Sequence, residues 1–385
     1  MTLKLCDVTR RGFLTGVPGL VAASGLAAVP GLATVALGSQ VEKKENKVFS
    51  DPSKVVFIQT LGGHGSAYFH ASAVVCNNKG KVLKQFAPGD AERGVNIHSC
   101  VKPFHAAIML EYIRKNPDLK APGFDSAELA VMSASHSGTP EHLQWIQSVL
   151  DKAELDEGYM RCVGYPLDQV VQANLKAQGR TISNISHLYS QCSGHHACQG
   201  ILAKLMDEDP KDYWKPEGKV QQYFLKQLQE YCDNDQRIEL IKFDGCGIPT
   251  FNMPLATFAT LYAKFVSSEQ EGFKRVVDAM AKHPFLVSDE ISLDTCLMEV
   301  AEGKLIAKLG SGALIIIANR ATGEAMILRE WSAAYGIREK ITIQALSELG
   351  WITGGQAQKL WDNPHFSLKC PNPYGVYEFN EPLWD

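Results

Sequence analysis

A serine and a lysine three residues apart form the first candidate for chemistry in this chain. Ser99 and Lys102 lie in the segment Ile97-His98-Ser99-Cys100-Val101-Lys102-Pro103, where a helix is predicted to begin. Residues i and i+3 of a helix share a face. A serine hydroxyl becomes a good nucleophile when a neighbour takes its proton, and a lysine that burial keeps neutral can do so. The same spacing is also explained by a helix-capping Ser99 and a solvated Lys102.

A second serine and a second lysine occur further along the chain. Ser135 and His136 lie in a run of small polar residues before Thr139, which is predicted to cap a helix that begins at Pro140. This run is either a polar loop or a substrate pocket, with His136 as a substrate-binding candidate. Lys308 ends a predicted strand, from which a lysine can reach into a cleft. An early Ser-x-x-Lys followed by a strand-borne lysine is typical of penicillin-recognising serine enzymes.

Two cysteines and a histidine have spacing that suits a metal. Cys192 and His195 form a Cys-x-x-His at a predicted helix start, and Cys246 lies in a glycine turn. Together they could supply three zinc ligands. Alternatively, Cys192 forms a disulfide with Cys246 or Cys198, or these cysteines are buried free thiols.

The N-terminal segment indicates export. Thr9-Arg10-Arg11-Gly12-Phe13-Leu14 precedes an uncharged apolar run and resembles a twin-arginine signal, which the Tat export machinery recognises. The alternatives are a general secretory signal or an uncleaved anchor. We therefore expect a signal peptide at 1–38, a linker at 39–53, one catalytic domain at 54–385, and a periplasmic or secreted location. The run contains prolines and glycines, so no stable membrane span is expected.

Net charge and the distribution of charged residues limit which classes of partner the protein can have. The 385 residues carry a net charge of −4, and the lysines and arginines are scattered. This pattern argues against an electrostatic partner such as nucleic acid or an anionic membrane surface.

The predicted elements indicate an α+β fold. Strands are expected at Val55–Ile58, at Ala71–Cys76 and Val82–Phe86 as a hairpin, and near Ile238–Phe243. A meander is expected at Lys304–Leu309, Ala313–Asn319 and Glu324–Leu328, and most of the chain between is helical. The order predicts one antiparallel sheet joined from both ends of the chain, with helices packed over it.

Taken together, the segments resemble the Rhizobium-type L-asparaginase family (asparaginase II) over roughly Gly89 to Leu349. Six blocks in order carry the resemblance: Ser99–Pro103, Ala134–Ser137, Arg161–Pro166, Cys192–His196, Asp244–Cys246 and Gly303–Gly310.

The resemblance implies hydrolysis of L-asparagine to L-aspartate and ammonia, a fold like the serine β-lactamases and glutaminases, and a homodimer. By position it implies two Ser-Lys pairs, Ser99 with Lys102 and Ser135 with Lys308, with Ser99 as the nucleophile and Ser135 as the alternative. Arg161 is our candidate for binding the substrate α-carboxylate.

The resemblance also implies a zinc ion near the active site. The family binds it through two cysteines, here Cys192 and Cys246, and a lysine that is replaced by His195. Imidazole is a common zinc ligand, so this departure is compatible with binding.

Two other functions stay open at this point. One is a penicillin-recognising or peptidoglycan-directed serine hydrolase, which acylation of Ser99 by a β-lactam would reveal. The other is a non-catalytic binding protein stabilised by a metal or a disulfide, which would turn over no amide.

Overall fold

Strands from both ends of the chain pair in one sheet. The computed structural model describes residues 53–61, 64–180, 185–368 and 375–385. The expected signal peptide lies outside the described residues, as does the linker apart from residue 53. The strands are β1 Lys54–Leu61, β2 His64–Asn77, β3 Val82–Gln85, β4 Gly94–Asn96, β5 Glu239–Ile241, β6 Thr250–Pro254, β7 Leu305–Gly310, β8 Leu314–Asn319, β9 Glu324–Glu330 and β10 Gly375–Phe379.

Helices fill the middle of the chain. They are α1 Lys102–Lys115, α2 Ser126–Met132, α3 Pro140–Ala153, α4 Gln169–Ala177, α5 Ser193–Leu205, α6 Lys219–Tyr231, α7 Leu255–Val266, α8 Glu271–Lys282, α9 Pro284–Val287, α10 Leu293–Val300, α11 Tyr335–Glu348 and α12 Gly354–Trp361. The Thr139 side chain accepts a hydrogen bond from the His142 backbone and Pro140 opens α3, as the sequence predicts.

The main sheet has the strand order β10-β1-β2-β9-β8-β7, with β3 paired to β2, and its pairs are antiparallel. Every residue of β8 is buried, because helices cover the sheet. Helix α7 packs on β2, β8 and β9, while α11 contacts β1 and β9. The predicted α+β class is confirmed, including the joining of strands from both ends and the meander β7-β8-β9.

A second, three-stranded sheet has no counterpart among the sequence-based predictions. Its order is β4-β6-β5, and only the short β5 falls in a segment predicted as a strand. Its function in the fold is to hold the segment before α1, since the Ile97 backbone N–H donates to the Phe251 carbonyl just beyond β4. Helices α2 and α12 both begin with a capping box, at Asp125 and Thr353.

Residues Ser53–Asp385 form one compact unit. Within the described residues, no helix is both long and apolar enough to cross a bilayer.

Candidate active site

Ser99 lies in a tight turn on the wall of a cavity. A 3₁₀ turn at His98–Val101 leads directly into α1, and His98 has φ 45°, in the left-handed region that non-glycine residues seldom adopt. Ser99 lines a cavity of about 290 Å³. Its hydroxyl makes no hydrogen bond with another described residue, so it is free to meet a ligand.

Lys102 lies behind this wall, with its side chain buried. Its Nζ donates to the Ala134 carbonyl at 2.8 Å and contacts Ser135 Oγ at 3.0 Å. The same nitrogen lies 3.5 Å from the Gln191 carbonyl and 3.2 Å from Cys192 Sγ. Lys102 therefore joins the serine loop to the thiol segment.

Lys308 approaches the same serine from the sheet. Its Nζ lies 3.0 Å from Ser135 Oγ and donates to the Leu309 carbonyl at 3.0 Å. One hydroxyl thus contacts two buried amines, Lys102 and Lys308. Burial lowers the pKa of Lys308, and the neighbouring charge of Lys102 lowers it further, while Asp294 opposes both. The side chains of Lys102, Ser135 and Lys308 thus form a continuous series of hydrogen-bond contacts, along which a proton can pass.

Two cysteine thiols meet at the cavity, beside Lys102. Cys192 and Cys246 both line the cavity, and the Cys246 thiol donates a hydrogen bond to the Cys192 sulfur. This hydrogen bond lowers the pKa of Cys192 below that of an ordinary thiol against the effect of burial, and Lys102 contributes in the same direction. The eight described cysteines are all free thiols, so neither predicted disulfide of Cys192 is present.

His195 does not share the mouth of the cavity with these thiols. Its Nε2 lies 2.6 Å from His105 Nδ1 and 2.8 Å from Gln199 Nε2, and its Nδ1 is buried without a partner in the described chain. Across the described ranges, no group of three His, Cys, Asp or Glu residues is arranged to hold a metal. The thiol pair fits two thiolate ligands, but the third ligand is not in place. Zinc binding therefore stays a prediction, and the catalytic mechanism proposed for Ser99 does not depend on it.

Arg161 and Asp244 place opposite charges on the cavity wall. The Arg161 guanidinium stacks on the Trp214 ring, 3.8 Å from its centroid. Asp244 Oδ1 lies 3.0 Å from His98 Nδ1. Although burial opposes it, the hydrogen bond and charge of His98 hold the pKa of Asp244 below its usual value. The cavity can therefore bind a ligand that carries both an anionic and a cationic group.

His136 is fully buried, and its ring forms hydrogen bonds within the protein. The Gly138 N–H donates to Nδ1 at 3.1 Å, which leaves the proton on Nε2, 2.9 Å from Ser193 Oγ. His136 is not among the described residues that line the cavity. Its contacts fix the loop that carries Ser135.

The sequence of this chain matches a known protein family. The family model for L-asparaginase II matches residues 62–372, which is most of the chain. The chain belongs to the L-asparaginase II family. This membership supports an amidohydrolase and confirms the family resemblance noted in the sequence.

Solved structures show a distant likeness to this L-asparaginase II family member. A β-lactamase from Mycobacterium bovis is 12% identical, with 72% of this chain and 94% of that one covered at a TM-score of 0.40. An octameric penicillin-binding protein homologue from Pyrococcus abyssi is 12% identical, with 73% of each chain covered at 0.34. A class C β-lactamase is 12% identical, with 74% and 91% covered at 0.31. At this level of likeness, they carry no argument about the fold or the reaction. No curated protein matches the chain.

Sequence reasoning assigned no role to three residues of the site in this L-asparaginase II family member. Asp244 was noted only as part of a matching block, and its pairing with His98 spans 146 positions. Asp294 lies 3.7 Å from Lys308 Nζ, but an aspartate in the first turn of a helix is common and gives no signal of its own. Only the folded chain brings these residues to the site.

Proposed function

We propose that this protein hydrolyses the side-chain amide of L-asparagine to L-aspartate and ammonia. The observation that supports it most is the contact of Ser135 Oγ with both Lys102 and Lys308, directly behind the cavity that Ser99 lines. Family membership supports the amidohydrolase class. The opposite charges of Arg161 and Asp244 complement the carboxylate and ammonium groups of an α-amino acid. The choice of asparagine among such amides rests on the family.

In this proposal Ser99 attacks the amide carbonyl. Its Oγ forms a bond to carbon, and its proton passes to Lys102, the first residue of α1, which contacts Ser135 and, through it, Lys308. The hydrogen bond between Ser99 and Lys102 forms when substrate binds, since the free protein lacks it. The path then returns a proton to the leaving nitrogen, so that ammonia departs and an acyl-enzyme ester remains. Water attacks this ester, and Ser99 regains its proton as aspartate leaves.

The test is ammonia release by purified protein on a panel of L-asparagine, L-glutamine and simple amides. We expect L-asparagine to be preferred, and Ser99→Ala to lower kcat by about 100-fold or more, because removal of a nucleophile leaves only binding and electrostatic effects. Equal rates for Ser99→Ala and the unmodified protein would refute the mechanism. Acylation of Ser99 by a β-lactam without amide turnover would instead favour a penicillin-recognising enzyme.

We also propose export by the Tat machinery to the periplasm or the medium. The support is the sequence around Arg10 and Arg11. Changing both to lysine is expected to retain the protein in the cytoplasm, whereas exchanging Lys43 and Lys44 for arginine leaves export unchanged. Export of the double lysine variant at the normal level would contradict the assignment. The homodimer implied by the resemblance is testable by light scattering on the same preparation.

A further inference from the structure

Asp294 is a buried carboxylate on the far side of the lysine pair. It lies in the first turn of α10, and its side chain is fully buried. Its Oδ1 accepts from the Thr295 N–H at 3.1 Å, and its Oδ2 accepts from the Leu309 N–H at 3.1 Å. An ionised carboxylate can accept about four hydrogen bonds, and burying one without a cation is costly. A positive charge is therefore needed beside it.

Lys308 supplies that charge. Its Nζ lies 3.7 Å from Asp294 Oδ2, and both side chains are fully buried. This distance is that of an ion pair and is too long for a hydrogen bond. The same Oδ2 holds the Leu309 N–H, so one carboxylate fixes both the strand next to Lys308 and the amine that contacts Ser135.

The two lysines at Ser135 have different surroundings. The titratable groups that face Lys308 are Asp294 from α10, Lys102 from α1, Cys100 from the 3₁₀ turn and Cys192 from the start of α5. Burial raises the pKa of Cys100 to about 12, so this thiol is neutral. The buried carboxylate of Asp294 is thus paired with Lys308, while Lys102 contacts carbonyl oxygens, a hydroxyl and a sulfur.

We propose that Asp294 is a positioning residue that keeps Lys308 as an ammonium ion and directs its Nζ at Ser135 Oγ. Asp294 is not among the described residues that line the cavity, so it acts through Lys308 rather than on the substrate. The kinetic part of its test rests on the proposed amide hydrolysis.

The kinetic test is the pH profile of Asp294→Asn. The amide keeps the size of the side chain but removes its charge, so Lys308 loses its proton more easily. We expect kcat to fall by about 10-fold to 100-fold, the alkaline limb of the kcat profile to move at least about one pH unit lower, and KM to change less than about threefold. The control is Thr295→Val. Thr295 lies in the same helical turn as Asp294, and its buried hydroxyl donates a hydrogen bond to the Pro284 carbonyl. An unmoved limb in folded Asp294→Asn, or an equal shift in Thr295→Val, overturns the proposal.

A second test needs no activity. Melting temperatures are measured for Asp294→Asn, Lys308→Met and the double variant. A buried ion pair predicts that the double variant loses clearly less than the sum of the two single losses, since each single change leaves a charge unpaired. Additive losses overturn the proposal. A protein that shows this coupling but releases no ammonia refutes the proposed function and leaves the Asp294–Lys308 pair established.

Discussion

Lys102 Nζ lies 3.2 Å from the Sγ of Cys192. This contact joins two segments that lie 90 positions apart and that sequence analysis treated as separate sites for catalysis and for metal. Because the Cys246 thiol and Lys102 both favour the Cys192 thiolate, the pKa of Cys192 is lowered, although burial opposes this. The thiol pair is therefore part of the electrostatics of the Ser-Lys site, whether or not a metal is bound.

Ser135→Ala tests the proton path. Removing the hydroxyl that both lysines contact is expected to lower kcat by about 100-fold or more, as for loss of general acid–base catalysis, with KM changed less than about threefold. Steady-state kinetics of ammonia release measure both values. Ser137→Ala is the matched control, because Ser137 Oγ is buried nearby with no hydrogen-bond partner in the described chain. A Ser135→Ala enzyme that retains more than about half of kcat contradicts the path.

Metal analysis tests the zinc prediction. We expect about one zinc per chain in the purified protein and at least about tenfold less in Cys192→Ser and Cys246→Ser, because each removes a thiolate ligand. Cys198→Ala is the control: Cys198 is buried beside Met109, with Sγ 3.8 Å from the Met109 sulfur. Protein without zinc that carries a Cys192–Cys246 disulfide by mass spectrometry would favour the disulfide instead.

Arg161→Met tests substrate binding. The guanidinium lines the cavity, and its loss removes a charged partner for the α-carboxylate. We expect KM for L-asparagine to rise about 10-fold to 100-fold with kcat changed less than about threefold, since the contact is made equally in ground and transition states. Arg180→Met changes an exposed arginine outside the cavity and should leave both constants unchanged. A loss confined to kcat would assign Arg161 to the chemical step.

The stability of the protein is expected to fall as the medium becomes acidic. Burial lowers the pKa of His142 from 6.5 to about 4, while its ring hydrogen-bonds to Thr139 and the Phe285 carbonyl. The unfolded chain therefore binds the proton more readily, so the contribution of His142 to the free energy of unfolding declines as pH falls from about 6.5 to about 4 and levels off below. The contribution of this one group is on the order of 3 kcal/mol.

Denaturant unfolding at several pH values measures this decline. His142→Gln should make it less steep between about pH 6.5 and pH 4, because one of several titrating buried histidines is gone. His365→Gln alters an exposed histidine and should leave the slope as in the unmodified protein. An unchanged slope in His142→Gln would show that other groups carry the pH dependence.

The sequence by itself determined the α+β class, the helix that Thr139 caps, the meander that carries Lys308, and the family. These features follow from local periodicity, capping and turn chemistry, which act between residues close in the chain. Ser99, Lys102, Ser135 and Lys308 could be named because their types and order match a pattern.

Only the tertiary structure decided how those residues meet. It placed Ser135 between two amines, left Ser99 on the cavity wall, and put His136 inside the protein. It also paired Asp294 with Lys308 and His98 with Asp244. Such pairs join elements far apart in the chain. Their interaction energy depends on burial, which removes water from between the charges. Neither the spacing nor the type of a residue contains that information, because both partners look ordinary until the fold brings them together.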